Sequence, residues 1–140
     1  LHRYGSGASI SPGEANLGIG RTAVAVVAAI EAKPGAVAAP LASARGVTLY
    51  KVMDKLFAIV TLGRLPSVIL KCDPHLAEIL REQYAGVGHR SHLDRRFWIS
   101  VTFGSDVPVD EIERLVAQSY DLVCAKLTRR QKAELQARGT

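Results

Sequence analysis

The sequence predicts an α+β domain of two layers: an antiparallel sheet of about five strands with helices packed on one face, in the order α-βββ-α-ββ-α. Three observations predict it. The hydrophobic period changes near Val47 from a helical repeat to alternation. Three short apolar runs then follow, joined by connections too short for a crossover, which makes an antiparallel meander. Two later segments open on residues that start helices, Asp73-Pro74 and Pro108.

Residues 1–20 differ from the rest. They are rich in Gly, Ser and Ala and show no hydrophobic period, so a loosely ordered or non-native segment is expected there, with one domain over 21–140. Arg21 to Lys33 places Val24, Val27 and Ile30 on one helical face, and Pro34-Gly35 ends it. Residues 36–46 read as a small-residue linker. Val47 to Val52 alternates, with Val47, Leu49 and Lys51 on one side and Tyr50 and Val52 on the other. Met53-Asp54 suits a tight turn although it lacks the favoured Asn-Gly. Lys55 to Leu62 and Ser67 to Cys72 are strands rich in β-formers.

Asp73 can cap free backbone N–H groups, and Pro74 fits the first helical position, so a helix is expected to about Tyr84 with Leu76, Ile79 and Leu80 inward. Gly88 to Leu93 reads as a short strand with Asp94-Arg95 as its turn. Arg96 to Phe103 reads as a strand in which Phe97, Ile99 and Val101 alternate with Trp98 and Thr102. Pro108 opens a helix with acidic residues near its positive end and Ile112, Leu115, Val116, Ser119 and Val123 inward. Thr128 to Gln131 reads as a capping box for a last short helix ending near Gly139.

The chain has 140 residues, 48% of them hydrophobic, which suits one domain with a sizeable core. Its formal charge of +5 permits an acidic partner such as nucleic acid or a negatively charged protein, though many basic proteins bind neither. Cys72 and Cys124 stand apart, outside any CxxC or Cys/His cluster, and read as reduced thiols of a cytoplasmic protein. The apolar run from Thr22 to Ile30 is too short to span a bilayer, so no membrane is expected.

Catalytic and metal chemistry find little support. There is no GxSxG and no phosphate loop, and neither cysteine has a neighbouring histidine. His89 and His92 in an extended segment point to opposite faces, and only Asp94 stands near as a third ligand. The expectation is a protein that is not an enzyme and needs no metal or cofactor.

The most informative segment is Gly88 to Val101. Arg90, Arg95 and Arg96 carry fixed charge, His92 adds to it when protonated, and Trp98 could stack on a base. The plain alternative is a soluble turn beside a strand that buries one of its two aromatics. Lys51 and Lys55 flank the first hairpin turn, where they could touch a phosphate backbone or simply guard an exposed edge. Lys126, Arg129, Arg130 and Lys132 form a second basic cluster, which a solvated helix explains equally well.

Four stretches together resemble the MmcQ/YjbR-like (DUF419) family. They are LYKVMDKLFAIV (49–60), VILKCDPHLAEILRE (68–82), SHLDRRFWISV (91–101) and VPVDEIERLVAQSYDLV (107–123), with its Ser-Tyr pair. Pro34-Gly35 resembles the Pro-Gly after the family's first helix. The resemblance implies a fold like that of secretion chaperones and CyaY, and DNA binding through a double-wing arrangement without established catalysis. It places Lys51, Lys55, His92, Arg95, Arg96 and Trp98 on motif positions. The stretch before the first strand departs from the family, lacking its aromatic. The function expected is therefore DNA binding through phosphate contacts of Lys51, Lys55, Arg90, His92, Arg95, Arg96 and Trp98, by a monomer. The alternative is a protein-interaction or chaperone-like module with no nucleic-acid binding.

Overall fold

The computed structural model describes residues 12–139, with side chains from residue 18 to residue 138. The elements run α1 (Pro12–Glu31), β1 (Ala36–Pro40), β2 (Val47–Val52), β3 (Lys55–Thr61), β4 (Ser67–Lys71), α2 (Pro74–Gln83), β5 (Val87–Gly88), β6 (Trp98–Thr102), α3 (Val109–Ala125) and α4 (Arg129–Gly139). All strand pairs are antiparallel, and the sheet order is β1-β2-β3-β4-β6-β5.

The α+β class holds, but the sheet has six strands instead of about five. The extra strand is β1, which falls in the expected linker. Its sequence AVAAP has few β-formers, and it forms because β2 offers an open edge at which a terminal proline is tolerated. The start of α1 also differs, at Pro12 and not at Arg21. Of the expectation for residues 1–20, positions 1–11 lie outside the described residues. The strand expected over 88–93 contracts to the two residues of β5. That expected over 96–103 begins only at Trp98, because Asp94 holds a turn through residue 97: the Phe97 amide bonds to the Asp94 carbonyl at 3.0 Å.

On α2, Ile79, expected inward, is exposed, and Ala77 is buried beside Leu80 in its place. Local signals set the helix starts and the hairpin turn. The Asp73 carboxylate accepts from the amides of His75 and Leu76, both at 3.1 Å, so α2 starts where the Asp-Pro pair directs. Thr128 and Gln131 close the capping box reciprocally, at 2.9 and 3.1 Å. Met53 and Asp54 both take positive φ, 48° and 68°, the pattern of a type I′ hairpin turn.

Inward side chains of the sheet align across strands by register: Tyr50 with Ala58, Ala58 with Leu70, Leu70 with Ile99, and Val68 with Val101 and Val60. They join Val26 and Ile30 of α1, Ala77 and Leu80 of α2, Ile112, Leu115 and Val116 of α3, and Leu135 of α4 in one buried cluster. The four helices therefore share one face of the sheet, and the opposite face carries none of them.

One irregularity organises the centre. Tyr50 pairs with Ala58 but Lys51 pairs with Leu56, so Phe57 is an extra residue in β3. The β3–β4 register runs only from Thr61 to Ala58, which leaves the Phe57 carbonyl and the Lys71 amide outside the ladder. Ser119 of α3 completes both: its hydroxyl donates to the Phe57 carbonyl at 2.6 Å and accepts from the Lys71 amide at 2.8 Å. Its neighbour Tyr120 meets the Phe57 ring edge-on at 5.4 Å and donates to the Pro34 carbonyl at 2.7 Å. The Ser-Tyr pair thus fixes α3 to the sheet and to the end of α1.

Ser119 is fully buried. Its replacement by alanine orphans a buried acceptor and a buried donor, so Ser119→Ala should lower stability by about 2–4 kcal/mol in urea denaturation. The conservative Ser119→Thr keeps the hydroxyl and should lose less.

Candidate nucleic-acid interface

The outward side chains of the sheet follow from the same registers. Leu49 opposes Ile59 and Ile59 opposes Ile69. At one end, Lys51 opposes Leu56 and Lys71 opposes Trp98. In the sheet order β2-β3-β4-β6, Lys51 on β2 and Lys71 on β4 stand on the same face, with Leu56 of β3 between them and Trp98 one strand beyond. The result is a row of two ammonium groups and an indole across the open face. The Lys71 ammonium sits 6.0 Å from the Trp98 ring centroid, within cation–π range.

The row differs from the set expected from sequence. Lys51 and Lys55 were paired there as flanks of one turn. Lys55 pairs with Val52, which is buried on the helical side, so the two lysines project from opposite sides of the hairpin. Lys71 was not among the expected site residues. Its outward position follows from alternation with Ile69 along Ser67–Lys71, a signal present in the sequence.

The connection from β5 to β6 carries the remaining residues. Arg96 is committed within it. Its side chain donates to both carboxylate oxygens of Asp94, at 3.1 and 2.7 Å, and its guanidinium lies 5.2 Å from the Phe97 ring centroid. Hydrogen bonds from the Arg96 side chain and backbone hold the Asp94 carboxyl down at about 2, so the pair stays ionised throughout the physiological range. Arg96 keeps the fixed charge expected of it, but that charge is paired with Asp94 on the surface. Arg95 is exposed, and its backbone carbonyl accepts from Arg81. Arg90 and His92 are exposed in the same connection. His89 bonds to the Leu93 carbonyl at 2.6 Å, and among the described residues no three His, Cys, Asp or Glu side chains gather as a metal site.

Arg81, which was not among the expected site residues, reaches from α2 to this connection. Its Nη2 donates to the carbonyls of Arg95 at 2.6 Å and Trp98 at 3.0 Å, tying helix, loop and β6 together. Burial and then the neighbouring Arg95 charge lower the Arg81 pKa from its ordinary value. A cavity of about 480 Å³ lies here, lined by Pro74, His75, Glu78, Arg81, Arg95 and Arg96.

The thiols are chemically quiet. Burial, and then the charge of Asp73, push the Cys72 thiol up to about 11. The folded state thus favours the neutral thiol, and its contribution to stability is lost as pH rises from 9 towards 11. At pH 8, native Cys72 should resist alkylation that proceeds readily in urea, as mass mapping of the labelled peptide will read. Labelling at the unfolded rate would contradict this burial.

The profile of the YjbR family matches residues 31–122. The uncharacterized protein YjbR of Escherichia coli (strain K12) is 40% identical over 74 residues, 52% of this chain. The matched part spans 63% of that relative's length. The uncharacterized protein YbdF of Escherichia coli O157:H7 is 26% identical over 83 residues, covering 59% of this chain and 68% of YbdF. Among solved structures, a Deinococcus radiodurans protein with a DUF419 domain superposes with a TM-score of 0.70 over 78% of this chain and 83% of its own, at 24% identity. A Pseudomonas syringae protein does so with a TM-score of 0.56 over 63% and 86%, at 20% identity. These two likenesses bear on the fold alone.

Proposed function

The chain belongs to the YjbR family, and on that premise we propose that it binds DNA, laying the phosphate backbone across the open sheet face. The observation that carries this reading is the row of Lys51, Lys71 and Trp98 at one end of a face that no helix covers, with Arg95 in the connection just before Trp98. None of the outward residues in the registers of β2, β3, β4 and β6 is acidic, so phosphates meet no repulsion along the row itself. The contacts are point charges on a regular surface, which suits backbone contact without base reading. Lys55 and the α4 cations lie outside the row and are not required.

The test is fluorescence anisotropy of a labelled duplex, and of its separate strand, at two salt concentrations. Each lysine that meets a phosphate adds about 0.9 to the salt slope on duplex, so Lys51→Gln/Lys71→Gln should lower the slope by roughly two. Arg96→Ala should change affinity less than either lysine substitution, because Asp94 already engages its guanidinium. Binding unaffected by the double substitution would refute the row.

A protein partner is the second reading, and one observation favours it. Val37, which opposes Lys51 on edge strand β1, is 60% exposed, and Leu49, Leu56 and Ile59 are only partly covered on the same face. These side chains form an apolar strip beside the lysines of the kind that partners cover. A chain that ignores DNA and self-associates, with Leu49→Lys returning it to monomer in analytical ultracentrifugation, would favour that reading.

A further inference from the structure

We propose that the cavity between α2 and the turn before β6 is a binding site for a phosphomonoester, with Arg81 and Arg95 as its anion-holding residues. Where the phosphomonoester is the end of a DNA strand, the inference rests on the DNA reading above. Where it is a free mononucleotide, it does not.

Charge is the first argument. The cavity wall carries three guanidinium groups, from Arg81, Arg95 and Arg96, against the single carboxylate of Glu78. Asp94 engages only Arg96. Arg81 and Arg95 are left as like charges close enough to act on each other, one of them drawn partly out of water. Glu78 offsets only part of the charge of that cation pair, and an oxyanion entering the cavity supplies the balance.

Geometry is the second. Arg81 is held at its Nη2 by two backbone carbonyls, which spends both Nη2 hydrogens and fixes the orientation of the rest of the guanidinium. Its Nε is shut off from water and meets no acceptor among the described residues. A buried unmet donor is costly and marks a place where a missing acceptor belongs. Arg96, paired with Asp94 and lying over Phe97, lines the cavity with its own charge already engaged. The amides of His75 and Leu76 are already taken by Asp73, so the ligand would be held by side-chain forks and not by the helix terminus.

The chemical class follows. A carboxylate offers one planar edge and satisfies one fork. A terminal phosphate is a tetrahedral dianion with three free oxygens, able to accept at once from the Arg95 fork and from the Arg81 donors that the two carbonyls leave over, and to outweigh Glu78. A phosphodiester has one charge and must leave the cavity by both ester oxygens. The volume of about 480 Å³ lies within the roughly 300–1,000 Å³ of small-ligand sites, enough for a mononucleotide or the last residue of a strand.

The experiment uses the whole chain and three probes: adenosine monophosphate, an oligonucleotide with a terminal phosphate, and the same strand without it. Charge-assisted hydrogen bonds are worth about 1.5–3 kcal/mol, so the phosphorylated strand should bind at least about tenfold more tightly than its partner. Arg95→Gln, at an exposed position that leaves the fold intact, should bring that ratio to about one. Arg81→Lys keeps the charge but cannot hold both carbonyls and an anion at once, so it should bring the ratio down as well. If neither strand binds but adenosine monophosphate does, and Arg95→Gln abolishes it, the DNA reading fails and the site stands for free phosphomonoesters. A ratio of one in the unsubstituted chain, with no binding of adenosine monophosphate, overturns the site and leaves the lysine row untouched. A preference for the phosphorylated strand that survives Arg95→Gln and Arg81→Lys equally overturns it.

Discussion

The Ser119 hydroxyl is the joint on which the molecule turns. A sheet can carry an extra residue only if the backbone groups that leave the ladder find other partners, because a buried unpaired carbonyl or amide costs about as much as a buried side-chain hydrogen bond contributes. At Phe57 that partner comes from α3, 62 residues away in sequence. One oxygen donates to β3 and accepts from β4, so the bulge, the packing of α3 and the position of Lys71 are consequences of a single contact. Tyr120 then extends the joint to the end of α1. Ser119 and Tyr120 thus hold the scaffold together and stand on the helical side of the sheet, away from the open face.

The open face depends on that joint. The bulge shifts β3 by one residue, so Leu56 and not Phe57 stands opposite Lys51, and Phe57 is buried among the helices. The Lys71 amide held by Ser119 belongs to the same residue whose ammonium lies over Trp98. Binding chemistry on one side of the sheet is thereby anchored to packing on the other. Arg81 plays the same part at the sheet's end, where it ties α2 to the loop carrying the arginines.

Much of this was legible in the sequence, and the limits have physical reasons. Asp73-Pro74 and Thr128 to Gln131 marked helix starts because capping is a local exchange of hydrogen bonds between neighbours. The hairpin at Met53-Asp54 was legible from alternation on both sides. β1 was not, because AVAAP carries no propensity of its own and is a strand only by virtue of β2 beside it. Trp98 was recognised but Phe97 was placed in the same strand, since alternation does not show where the Asp94 turn ends. Lys51 and Lys55 flank the hairpin turn as expected, but the turn sets Lys55 opposite Val52 and Lys51 opposite Leu56, which puts the two lysines on opposite faces. Arg81 lay beyond sequence reasoning altogether, because its partners are backbone carbonyls of residues 14 and 17 positions away.

Trp98 is the only tryptophan of the chain and stands in the row itself, so its emission reports on the open face alone. The most direct measurement is its intrinsic fluorescence during titration with unlabelled DNA at low salt, followed by back-titration with salt. Quenching or a spectral shift that saturates with DNA and reverses as salt is added is the predicted result. DNA binding that leaves Trp98 emission unmoved would place the contact on another surface and contradict the account.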